Sequence, residues 1–67
     1  MDLVVNGEKR SLTLHAQNVD GVVVALGLPL ERVAVELNGA IVTKATRPHT
    51  TVRDGDVLEV VTLVGGG

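Results

Sequence analysis

The sequence predicts a small α+β domain, a mixed sheet of four or five strands with a single helix laid across one face. Three observations carry this expectation. Apolar residues alternate with polar ones at both ends of the chain and in its middle, the signature of strands with one covered face. One intervening stretch instead has its aliphatic residues at helical spacing. Two Asn-Gly dipeptides, strong hairpin signals, stand just after alternating segments.

Leu3-Val4-Val5, Asn6-Gly7 and Lys9 to Leu14 read as a first hairpin, with Leu3, Val5, Leu12 and Leu14 on the covered face and Val4, Ser11 and Thr13 on the other. Lys9 and Arg10 then mark a solvated hairpin edge. From Asn18 the period changes. Val19, Val22, Val23 and Leu26 form one helical stripe, Asn18 is placed to cap the first turn, Asp20 complements the positive end of the helix dipole, and Gly27 with Leu28-Pro29 ends the run. Gly21 and the run Val22-Val23-Val24 have poor helix propensity, and composition alone would also allow a strand; the capping residues decide for the helix.

Val33, Val35 and Leu37 alternate with Ala34 and Glu36 to give a third strand, and Ile41-Val42 returns after Asn38-Gly39. Lys44 to Thr51 is polar and contains Pro48, so it reads as a loop with room for one helical turn before a short segment at Val52. Asp54-Gly55-Asp56 turns into the final strand, where Leu58 and Val60 share one face and Glu59, Val61 and Leu63 the other. The predicted core is Leu3, Val5, Leu12, Leu14, Val19, Val22, Val23, Leu26, Val33, Val35, Leu37, Val52, Leu58 and Val60.

Composition bounds what such a domain can do. With 67 residues and no cysteine, neither a disulfide nor a thiolate site is available, and His15 and His49 stand far apart with no accompanying ligand pattern, so no metal site is expected. Stability must come from aliphatic packing, for which a hydrophobic content of 45% is adequate. The absence of Phe, Tyr and Trp and a net charge of −2 argue against nucleic-acid binding. The longest apolar run, Val22 to Leu26, is too short to span a bilayer, and the expectation is a soluble cytoplasmic protein, monomeric when free. Asp54 and Asp56 could be paired acids of a small enzyme, but a solvated turn accounts for them better.

Strand, strand, helix, strand, short strand, strand is the order of the ubiquitin-like β-grasp, whose first and last strands run parallel at the centre of the sheet. The resemblance then becomes specific. Val5-Asn6-Gly7-Glu8, Leu26-Gly27-Leu28-Pro29, Val33 to Gly39, Asp54 to Val61 and the closing Val64-Gly65-Gly66-Gly67 together resemble the ThiS family, the sulfur carrier proteins of thiamine biosynthesis. On that likeness residues 1–64 form the β-grasp domain and 65–67 a flexible glycine tail. The resemblance implies a carrier rather than an enzyme. A partner adenylyltransferase related to ubiquitin-activating enzymes would use ATP and Mg²⁺, neither bound by this chain, to adenylate the carboxylate of Gly67. A sulfur donor protein would convert it to a thiocarboxylate, and thiazole synthase would take the sulfur.

The residues make that chemistry sensible. An ionised carboxylate is a poor electrophile and needs activation, and Gly65 and Gly66, lacking a Cβ, suit a narrow catalytic channel. A frayed end is the plain alternative. Carriers serving molybdopterin synthesis or tRNA thiolation, and ubiquitin-like protein modifiers, share a glycine end and remain open readings. If the terminal strands are neighbours, Val4, Ala34, Val61 and Leu63 fall on the face away from the helix and offer a partner-docking surface.

Overall fold

The computed structural model describes residues 1–64; the expectations placed on Gly65, Gly66 and Gly67 lie outside the described residues. Five strands, β1 (Asp2–Val5), β2 (Glu8–Ser11), β3 (Val33–Leu37), β4 (Ala40–Val42) and β5 (Val57–Thr62), form one sheet in the order β2-β1-β5-β3-β4. The terminal strands β1 and β5 are parallel neighbours, and every other pairing is antiparallel. One helix, α1 (Val19–Ala25), and two 3-10 turns, Leu30–Arg32 and Arg47–His49, complete the β-grasp arrangement.

Both hairpins turn on their Asn-Gly pairs. Asn6 and Asn38 have φ near 50°, and Gly7 and Gly39 have φ of 81° and 86°, the left-handed pair that a two-residue hairpin needs to match strand twist. The first hairpin is shorter than the alternation suggested, because β2 ends at Ser11, opposite Asp2 at the start of β1. Leu12 and Leu14 lie beyond it but remain half-buried against the core.

The core holds Leu3, Val5, Val19, Val22, Val23, Val33, Val35, Val52, Leu58 and Val60, with Leu12, Leu14, Leu26 and Leu37 packed at its margin. Three valines explain why so short a helix forms. Val19, Val22 and Val23 are fully buried, so tertiary packing outweighs their weak intrinsic preference for helix. At its start Asn18 Oδ1 accepts the Gly21 N–H at 2.7 Å, the expected cap. Gly21, a propensity defect in the sequence, is required by contact: a Cβ there would lie 1.9 Å from the Ala16 carbonyl oxygen.

Candidate functional site

The chain leaves the sheet at the end of β5, and the second half of that strand is held from two sides. On the β3 side the antiparallel register runs from Leu58 opposite Leu37 to Thr62 opposite Val33. One step further the Leu63 N–H donates to the Arg32 carbonyl at 2.6 Å. On the other side β1 turns away too early to follow β5. Its parallel ladder closes with the Asn6 N–H donating to the Leu58 carbonyl, after which the Asn6 side chain takes over: its Oδ1 accepts from Val60 N–H at 2.7 Å and its Nδ2 donates to Val60 O at 3.0 Å. A primary amide carries the same donor and acceptor as a peptide group, so the side chain stands in for one further strand residue. Val64, the last described residue, is 86% exposed.

The carbonyl that receives Leu63 is itself braced. Arg47, only 2% exposed, donates from Nη1 to Val33 O at 3.1 Å and from Nη2 to Leu30 O at 2.7 Å, gripping the chain on both sides of Arg32. Its Nε lies 3.0 Å from Asp20 Oδ1 on α1, close enough for charge attraction although the N–H is not aligned for a hydrogen bond. One guanidinium therefore joins the helix, the 3-10 turn at Leu30–Arg32 and the start of β3. Nearby, Glu31 pairs with Lys44; the hydrogen bond from Lys44, and then its charge, hold the Glu31 carboxyl below the usual carboxylate range.

On the face away from the helix, Ala34 stands opposite Val61 across β3 and β5, Val4 opposite Val57 across β1 and β5, and Leu63 follows just beyond the strand end. Val4 is half-buried, while Val61 and Leu63 are 58% and 52% exposed. The structure adds Val57 and Ile41 to this face, 41% and 80% exposed, and sets Glu36 opposite Glu59 among them. Strand alternation had put Glu59 outward; which residue it would face depended on a register that the sequence left open.

Asp54 and Asp56 serve the fold. Asp54 accepts the Asp2 N–H at 2.7 Å, and Asp56 accepts from Arg53 N at 2.8 Å and Asn38 Nδ2 at 3.1 Å. His15 and His49 are exposed. Among the described residues no group of three or more His, Cys, Asp and Glu side chains is placed to hold a metal ion, and no helix is long and apolar enough to cross a membrane. The sequence reading missed the roles of Arg47 and Asn6. Nothing local marks Arg47, which sits in a polar segment, and Asn6 was read only as a turn residue.

The ThiS family model matches residues 3–67, from the first strand through the closing glycines. The chain belongs to the ThiS family. The sulfur carrier protein ThiS of Thermus thermophilus is 40% identical over 63 residues, covering 94% of this ThiS-family chain and 95% of its relative. The crystal structure of the thiamine biosynthesis protein ThiS from Geobacter metallireducens superposes with a TM-score of 0.79 at 38% identity, over the full length of both chains. A thiazole synthase of Paramagnetospirillum magneticum is 42% identical over 67 residues; the match takes in all of this chain but only 20% of the synthase, so the chain spans about a fifth of that relative's length.

Proposed function

We propose that this protein is a sulfur carrier for thiamine biosynthesis, acting on the carboxylate of Gly67. The observation that carries the reading is the ThiS family match, which runs through the terminal glycines. In the proposed sequence an adenylyltransferase uses ATP and Mg²⁺ to join AMP to that carboxylate, with pyrophosphate leaving. Sulfide-level sulfur delivered by a sulfur donor protein then attacks the acyl carbon; the bond to the AMP oxygen breaks, AMP leaves, and a thiocarboxylate remains. Its soft, nucleophilic sulfur is consumed by thiazole synthase in building a thiazole ring, in the cytoplasm. The chain supplies no catalytic group; Gly65 and Gly66 carry the reacting end into each partner's active site without side-chain clashes.

A carrier must be held by its body while its end reacts, since fixing the two together makes the reaction effectively intramolecular. We assign that task to the sheet face of Val4, Ala34, Val61 and Leu63, supported by the exposure of large aliphatics there. Val61→Asp is expected to weaken binding of both partners and slow sulfur loading in a domain that still unfolds cooperatively.

Intact-mass analysis of the protein taken from cells tests the chemistry. The expected result is a population heavier by the exchange of one oxygen for sulfur, localised to Gly67 and lost when Gly67 is deleted. Isopeptide adducts to lysines in place of a thiocarboxylate would overturn the reading.

A further inference from the structure

The outward face of the sheet contains a pairing that the fold itself does not use. Glu36 and Glu59 are directly opposite each other on β3 and β5. Directly opposed like charges work against strand pairing. The ion pairs of the described residues, Lys44 with Glu31 and Arg47 with Asp20, lie elsewhere and leave both carboxylates without a cation. Lys9 faces the same side, but it stands across Val4 on β2, with β1 between it and β5. Around the two acids the face is aliphatic. Val57 and Val61 flank Glu59 along β5, Ala34 precedes Glu36 on β3, and Ile41 is opposite Glu36 on β4.

An apolar surface with an uncompensated acid pair at its centre is a poor surface for a solitary domain and a good one for a partner that brings the missing charge. We infer that Glu36 and Glu59 form the cation-receiving centre of the docking face, and that the protein seated on it places an arginine between them. Arginine fits better than lysine. Its planar guanidinium offers donors on separate edges, so two carboxylates can be met at once, and its weakly hydrated faces suit a rim of valine and isoleucine. Closing the aliphatic rim excludes water from the pair, which strengthens the attraction and leaves a like-charged or uncharged competitor at a disadvantage. The inference rests on the carrier reading above and deepens it by naming what the sulfur acceptor must present. That acceptor, thiazole synthase, is taken as the occupant because a synthase relative carries a segment like this chain within its own polypeptide.

The test uses Glu36→Gln, Glu59→Gln and the double variant, each measured for urea unfolding and for calorimetric binding to the cognate thiazole synthase at several salt concentrations. Removing the repulsion should leave the free domain as stable as the wild type or more so. Binding of the double variant should weaken at least tenfold, and its salt dependence should flatten. Greater stability with poorer binding separates recognition from a merely structural role. Glu59→Lys should bind more weakly still while remaining folded. A double variant that binds the synthase like the wild type, with the same salt dependence, overturns the inference and leaves the carrier reading standing. A loss confined to the adenylyltransferase overturns the choice of occupant. A wild-type domain that binds neither partner overturns the carrier reading, and this inference with it.

Discussion

Replacing Arg47 with alanine removes a buried cation that three separate segments depend on. Val33 O and Leu30 O lose their guanidinium donors, and Asp20 Oδ1 loses the charge 3.0 Å away. Removing one partner from a buried ion pair typically costs about 3–5 kcal/mol, mostly because the groups left behind are desolvated and unpaired. Asp20 retains some solvent contact, its side chain being 25% exposed, so the lower half of that range is the better expectation. A domain of 67 residues has roughly 3–10 kcal/mol in total at ~0.05–0.15 kcal/mol per residue, so the loss is a large share of the whole. At roughly 4–8 °C per kcal/mol for a domain of this size, Tm should fall by more than ~10 °C. Arg47→Met is the informative control. It refills the space of the aliphatic stem without supplying donors and should recover about 2 kcal/mol at ~0.8 kcal/mol per buried methylene. Thermal and urea unfolding followed by circular dichroism would measure both variants. An Arg47→Ala protein melting within ~4 °C of the wild type would refute the reasoning, because that is less than the cost of a single unpaired buried group.

Other substitutions probe separate links. Gly21→Ala, which in an exposed helix interior would gain about 1 kcal/mol, should instead destabilise the domain, since the added Cβ meets the Ala16 backbone; a higher urea midpoint would contradict the close approach. Asn6→Gly keeps the positive-φ turn but removes the amide bridge, so Val60 should exchange its amide hydrogen faster and stability should fall by about 1–2 kcal/mol, whereas unchanged Val60 protection would show that the bridge does not hold β5. Lys44→Ala should move the Glu31 titration, read by NMR, up toward the ordinary carboxylate range. Because the folded-state pKa of Glu31 lies below its unfolded value, any stability from the pair is present above the ordinary range and lost as pH falls through the folded pKa. The pair is solvent-exposed, so the unfolding midpoint at neutral pH should not move measurably.

What the sequence determined by itself is local and periodic. Alternation along Val33 to Leu37 and Val57 to Leu63 sorted each side chain to a face, helical spacing from Val19 selected the buried stripe, and Asn18 and the Asn-Gly pairs marked where elements start and turn. All ten buried aliphatics of the core were among those predicted, nine of them from their place in a strand or helix period, because burying apolar area is the main driving force and a strand or helix exposes its period directly in the order of residues. The ThiS signature was legible for a similar reason: its closing turn, strand and glycines are contiguous. Tertiary structure alone decided the rest, where the partners are far apart in sequence. Asn6 bridges to Val60 across 54 positions, and Arg47 reaches back to Leu30 O and Val33 O. Gly21 is required by the Ala16 carbonyl rather than by its helix, and Glu36 meets Glu59 only through the β3–β5 register. A polar side chain carries no periodic mark of its burial or its partner; whether it lies in solvent, braces a carbonyl or awaits a cation depends on which backbone groups the completed fold leaves unpaired beside it.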